Sequence, residues 1–142
     1  MIHDIISRLE DLEVKELLAY SVFPDPELLD EVVDSYRRGH GMELYGYEEE
    51  GVLLGILGVE MNGSEMVIKH IAVLPENRGK DYGRGMLMEL MLQKSPERVI
   101  AEADEDTVGF YRSIGFQIYS LGEGYPGAER FRCIYEVEED EE

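Results

Sequence analysis

The chain has 142 residues, the size of one domain and long enough to bury a core without disulfides or metal. Thirteen Lys and Arg against thirty-two Asp and Glu leave a net charge of −19, which disfavours phosphate-neutralising contact with nucleic acid and docking on an anionic membrane. A hydrophobic fraction of 44%, with nine Tyr and four Phe, excludes a disordered chain, because that much apolar surface offsets the entropy of ordering.

Residues 2–22 place Ile5, Ile6, Leu9, Leu12, Leu17, Leu18 and Val22 at helical spacings with acids between them, which predicts an amphipathic helix broken near Asp11. Phe23-Pro24-Asp25-Pro26 interrupts it. Asp25 reads as an N-cap and Pro26 as the first position of a second helix that runs to Arg38, with Leu28, Leu29, Val32, Val33 and Tyr36 as its buried stripe. Gly39 or Gly41 stops it. From Glu43 the period shortens to strands, ELYGYEE, VLLGILGVEM and EMVIKHIAVL, with turns at Glu50-Gly51 and Asn62-Gly63, an antiparallel meander.

After Pro75 comes a polar, Gly-rich loop, ENRGKDYGRG, and then an apolar helix, MLMELMLQK, closed by Ser95-Pro96. The strand RVIAEA follows, then a short helix from near Asp104 to Gly115, then the strands FQIYSL and FRCIYEV. The last seven residues carry six acids and read as a frayed tail. The expected architecture is mixed α/β: a mostly antiparallel sheet with one parallel strand pair joined by a crossover, helices on both faces. Residues 1–135 are expected to form a single domain and 136–142 an acidic tail.

The start of the chain interleaves acids with apolar residues instead of placing a basic patch before an apolar run, and no apolar stretch approaches the ~20 residues of a membrane helix. A lone Cys133 forms no internal disulfide. A cytoplasmic protein, with no nucleic-acid or membrane partner, is the expectation.

The junction from Leu74 to Met86 carries the most chemistry. A buried strand ends at Pro75 and a loop holding Arg78, Gly79, Lys80, Gly83, Arg84 and Gly85 opens into a helix, whose first N–H groups lack internal partners and whose dipole is positive there. Residues 69–84 hold four cations (Lys69, Arg78, Lys80, Arg84) against Glu76 and Asp81, so the local charge is reversed within an acidic chain. The glycine spacing fits neither a Walker A loop nor a dinucleotide fingerprint.

HIAVLPENRGKDYGRGMLMELM resembles the acetyl-CoA segment of the GNAT-type N-acetyltransferases, Arg/Gln-x-x-Gly-x-Gly/Ala, with Arg78 first and Gly83 last. Asp81 stands where the first glycine of that pattern falls. DEDTVGFYRSIGF is similar to the second motif of the family, matching Phe110, Tyr111, Gly115 and Phe116, with Asp104 and Thr107 in place of Asn and Ala.

The resemblance implies the fold of that family and acetyl transfer from acetyl-CoA to a primary amine of a small molecule or protein by direct attack. It implies that backbone groups of Ile71, Ala72 and Val73 pair with the pantetheine arm and polarise the acetyl carbonyl, and that Arg78, Gly79, Lys80, Asp81, Tyr82, Gly83, Arg84 and Phe110 bind the cofactor. Tyr111 would protonate the leaving thiolate. An amine of pKa about 10.4 must also lose a proton, and Glu102 is the first choice of base, ahead of His70 and Glu60. Plainer readings stand beside these: Tyr111 as a core aromatic, His70 as a core or edge histidine, Glu102 as an ion pair or cap, the methionines as core filler. No cluster has metal-ligand spacing, so no metal is expected.

Acceptor identity has no motif, though the acidity allows a cationic acceptor. The expected assembly is a monomer or homodimer. Two other classes of function compete: a CoA-binding module with weak catalysis, motivated by Asp81, and an acidic protein-interaction domain.

Overall fold

The computed structural model describes residues 2–22, 27–124 and 126–137. The elements run β1 (Ile2–Asp4), α1 (Leu12–Val22), α2 (Glu27–Arg37), β2 (Met42–Glu49), β3 (Val52–Asn62), β4 (Glu65–Val73), α3 (Tyr82–Lys94), β5 (Arg98–Ala103), α4 (Val108–Ile114), β6 (Gln117–Glu123) and β7 (Glu129–Glu136), with 3₁₀ turns at Ile6–Arg8 and Pro75–Asn77. The strands form a seven-stranded sheet in the order β1-β2-β3-β4-β5-β7-β6. The expected mixed α/β class, mostly antiparallel with one parallel pair, is what the chain adopts: β4 and β5 pair in parallel over Glu65–Val67 and Arg98–Ile100.

Two compact units are distinguishable, Met1–Met61 with Lys69–Ser95, and Asn62–Ile68 with Pro96–Glu142. In the first, β2 lies between β1 and β3, antiparallel to both. Ile5, Leu17, Leu18, Tyr36, Leu44 and Ile56 are among the fully buried side chains of its core. The two glycines of β3 show how helices cover both faces of these strands. A Cβ on Gly55 would stand 2.9 Å from the Met86 methyl of α3, whereas a Cβ on Gly58, on the opposite face, would overlap the Tyr36 hydroxyl of α2. In the second unit β7 is antiparallel to both β5 and β6. Val99, Ala101 and Ala103 point to the buried side of β5, with Tyr111 and Phe116 buried as well.

Several local expectations are corrected. Residues 2–22 are not one helix: Ile2–Asp4 is a strand paired with Tyr45–Tyr47, and the helix begins only at Leu12. Ile2, Ile5 and Leu9 fit a helical period, but three residues at a free sheet edge gain more from ladder bonds than from one helical turn with a costly nucleus. The β3–β4 loop is Gly63-Ser64, one residue later than Asn62-Gly63, with only Gly63 at positive φ (62°). Helix α3 starts at Tyr82 instead of Met86, taking Gly83, Arg84 and Gly85 into its first turn. Strand β7 extends through Glu136, opposite Arg98, so the first residue of the expected acidic tail is strand. The proposed cap at Asp25-Pro26 and residues 138–142 of the tail lie outside the described residues.

Gly58→Ala is expected to destabilise the protein by about 1–3 kcal/mol, the range for overpacking a filled core, with the loss read from urea denaturation midpoints.

Candidate active site

The carboxyl end of β4 presents a polar edge. The Leu74 N–H donates to the Leu54 carbonyl at 2.9 Å, and because the Val73–Leu74 peptide is planar and trans, the Val73 carbonyl must point away from β3. Strand alternation gives Ile71 the same outward direction and Ala72 the inward one. Of the three residues expected to pair with an extended ligand, Ile71 and Val73 therefore present their N–H and C=O groups to that edge. Ala72 is instead buried in the core. One lone pair of the Val73 oxygen is taken by the Arg78 side chain, whose Nε donates to it at 2.9 Å.

Between this edge and α3 the chain turns tightly. Pro75–Asn77 makes one 3₁₀ turn, and then Gly79 (φ 79°) and Asp81 (φ 65°, ψ 17°) both take the left-handed conformation. Asp81 thus holds the backbone shape that explains a glycine in the family pattern. An aspartate tolerates it at a cost of about 1 kcal/mol relative to glycine. Its carboxylate makes no cap to the helix, while its carbonyl accepts the Gly85 N–H at 2.9 Å. The N–H groups of Tyr82, Gly83 and Arg84 precede the first intrahelical bond, so they face outward at the positive end of α3.

Around them Lys80 and Arg84 are exposed, and among the described residues neither forms an ion pair. A Cβ on Gly79 would meet nothing within 4 Å, leaving room for a group to approach the backbone. The Tyr82 hydroxyl donates to Glu49 at 3.3 Å, and its ring lies 5.4 Å from that of Tyr47. Outward N–H groups, unpaired cations and open backbone together fit a phosphate.

One residue before Ile71, the His70 Nδ1 shares a 2.6 Å hydrogen bond with the Tyr36 hydroxyl. Tyr36 is 1% exposed. Burial pushes its phenol well above the ordinary range, so it stays protonated, and burial followed by the Lys69 charge pushes the His70 imidazole down to about 4. The arrangement that satisfies the buried hydroxyl has it donating to Nδ1 of a neutral ring, with the ring proton on Nε2. His70 therefore ties α2 to β4. Glu60, on β3, has its carboxylate 3.9 Å from Lys69.

The second unit holds the other candidates. Tyr111 on α4 is 5% exposed, packed edge-on between Phe110 (centroids 5.1 Å apart) and Phe116 (5.2 Å), and burial raises its phenol well above the usual range. Its hydroxyl forms no hydrogen bond to the described residues. Glu102 on β5 is 54% exposed, with the Arg130 guanidinium 3.8 Å away. Asp104 and Thr107, which replace Asn and Ala of the second motif, bond to each other: Asp104 Oδ1 accepts the Thr107 N–H at 2.9 Å and hydroxyl at 3.0 Å, and Thr107 Oγ1 accepts the Asp104 N–H at 3.1 Å. The substitutions build a reciprocal turn that starts α4.

Within the first unit the structure brings Ile71, Val73, Arg78 and the α3 amino terminus together. Within the second it packs Phe110 edge-on against Tyr111, while Glu102 pairs with Arg130. Sequence reasoning missed Tyr20, whose ring on α1 lies beneath the Arg78 guanidinium, 5.2 Å from Cζ to centroid. Fifty-eight positions separate the two, and no local pattern links them.

Residues 32–118 match the model of the acetyltransferase (GNAT) domain family. Similar solved structures include a GNAT-family acetyltransferase from Desulfovibrio desulfuricans (18% identity, TM-score 0.79, covering 96% of this chain and 98% of that one). A GNAT-family acetyltransferase from Elizabethkingia anophelis with acetyl-CoA bound matches at 18% identity and TM-score 0.74, covering 96% and 97%. The ribosomal-protein-S18-alanine N-acetyltransferase from Escherichia coli matches at 15% and 0.77, covering 100% and 96%. At such identities these likenesses establish a shared fold.

Two outcomes follow from the geometry. Asp81→Gly relieves the left-handed backbone, so the variant is expected to be more stable by about 1 kcal/mol in thermal or urea denaturation. His70 favours its neutral form when folded, so its contribution is complete above the ordinary imidazole value of 6.5 and is lost as pH falls toward about 4, where the unfolded chain takes up the proton first. In urea titrations at pH 7 and pH 4.5, wild-type protein should lose about 2–3 kcal/mol more than His70→Gln.

Proposed function

Because the chain belongs to the GNAT acetyltransferase family, we propose that it transfers the acetyl group of acetyl-CoA to a primary amine of a small molecule or protein by direct attack. The observation that carries this reading is the turn from Arg78 into α3. Two left-handed residues there aim the unbonded N–H groups of Tyr82, Gly83 and Arg84 outward among cations that form no ion pair with the described residues, the chemistry a pyrophosphate requires. The outward N–H and C=O groups of Ile71 and Val73 suit the amide-rich pantetheine arm, which would add to β4 as an extended strand, and an N–H of that edge would polarise the acetyl carbonyl.

In this reading the acceptor amine attacks the thioester carbon, the C–S bond breaks, and the thiolate, whose conjugate acid has a pKa of about 8.5, takes a hydrogen bond and then a proton. Tyr111 is the assigned donor, its phenol regaining through solvent a proton to replace the one it gives, so that the proton the amine releases balances the one the sulfur takes. Its phenol is kept protonated by burial and its O–H is uncommitted, both of which a donor at sulfur needs. Glu102 is the carboxylate assigned to the proton that the amine loses, directly or through water. Its use requires the pair with Arg130 to open. The acceptor class extends to cationic amines, which the charge of −19 attracts, and a cytoplasmic setting agrees with the single, buried thiol of Cys133.

Acetyl-CoA at saturating concentration should raise the melting temperature, and free thiol should appear on addition of an amine from a panel of small polyamines and peptide amino termini. An unchanged melting temperature would favour an acidic interaction domain. Stabilisation without thiol release across the panel would favour a CoA-binding module of weak activity. Tyr111→Phe should lower turnover by about 10- to 100-fold while leaving acetyl-CoA affinity within twofold, measured by steady-state kinetics and calorimetry.

A further inference from the structure

Arg78 is held on two sides by neutral groups. Its Nε donates to the Val73 carbonyl at 2.9 Å, and its guanidinium lies over the Tyr20 ring of α1, 5.2 Å from the centroid. Tyr20 is 38% exposed, so the contact is a lid on one face of the guanidinium and not a burial. In a chain with thirty-two acids the common anchor for an arginine would be a carboxylate, as Arg8, Arg37, Arg98 and Arg130 show. A carboxylate would cancel the charge. Among the described residues a carbonyl and an aromatic face instead fix the side chain, and no carboxylate pairs with it, which leaves its positive charge and remaining N–H donors for another anion.

The place where it is fixed matters. Arg78 opens the left-handed turn through Gly79 and Asp81, and its side chain reaches back to the outward edge of β4. The turn is supported behind by bonds from the Asn77 N–H to Leu74 and from the Arg78 N–H to Pro75. A free arginine would lose rotamer freedom on binding a phosphate, whereas a clamped one has already lost it.

We infer that Tyr20 is a positioning residue for the cofactor loop: its ring presents the Arg78 guanidinium, uncompensated and pre-ordered, to a phosphate-bearing ligand at the β4–α3 turn. This rests on the acetyl-CoA reading of that loop. It also gives α1, for which the sequence offered no motif, a role in cofactor binding.

The test is a double-mutant cycle read by calorimetry with CoA and acetyl-CoA. Tyr20→Leu should weaken binding about three- to fivefold, while Tyr20→Phe, which keeps the aromatic face, should bind as wild type does. In an Arg78→Gln background Tyr20→Leu should add nothing, because its effect passes through Arg78. In turnover, KM for acetyl-CoA should rise with kcat and the KM of the acceptor unchanged, a split that a general loss of stability would not produce. Equal losses in both backgrounds, unchanged affinity, or a Tyr20→Phe as weak as Tyr20→Leu would each overturn the inference.

Amide exchange of the unliganded protein separates this from the fate of the cofactor reading. Wild-type protein that binds no CoA would defeat that reading alone. Faster exchange over Gly79–Asp81 in Tyr20→Leu but not in Tyr20→Phe would still uphold the positioning role, and equal exchange in all three would overturn it.

Discussion

The planarity of one peptide organises the ligand-facing side of the first unit. Once the Leu74 N–H is committed to Leu54, the Val73 carbonyl has no choice of direction, and Ile71 follows it by strand alternation. Backbone groups turned outward near a protein surface need partners, and here Arg78 supplies one from within the chain. The same bond holds the guanidinium at the strand edge, so exposed backbone and fixed cation there arise from one constraint.

Electrostatics explains why this region stands apart in an acidic molecule. The net charge is −19, yet Lys80 and Arg84 stay exposed and without ion pairs among the described residues, while Arg78 is held by neutral groups. The carboxylate of Asp81 is the one acidic group between Arg78 and α3, and it is placed by backbone conformation: its residue must adopt φ of 65°, which aspartate tolerates better than most residues with a side chain. Glycine would satisfy the same geometry without the charge. The site thus carries a negative group whose local reason is conformational.

Most of the fold was legible because its signals are local. The Glu50-Gly51 turn, the apolar runs of β3 and β4 and the Gly115 stop after α4 all rest on neighbouring residues, and each appears where the pattern put it. What escaped was long-range. Ile2–Asp4 forms a strand only because Tyr45–Tyr47, far along the chain, offers a partner edge. The first turn of α3 contains two glycines, which propensity places in a loop, whereas the packing of Met86, Leu87 and Leu90 extends the helix back through them. The family resemblance pointed to Arg78 and Tyr111, but Tyr20 beneath Arg78 and Tyr36 against His70 are contacts between elements that no window of sequence contains. Asp104 and Thr107 stand in place of the Asn and Ala of the second motif, and the structure shows that they bond to each other.

The close approach of Tyr36 to Gly58 has an evolutionary reading. The hydroxyl that holds His70 occupies the volume a methyl group at position 58 would fill, so the two positions are not free to vary separately. A homologue with a larger residue at 58 must carry a smaller or differently placed one at 36, and its residue 70 is then released from the constraint that keeps an imidazole there. Residues 36, 58 and 70 should therefore be inherited as a set, with the loss of the glycine marking lineages in which helix α2 has found another way to grip the sheet.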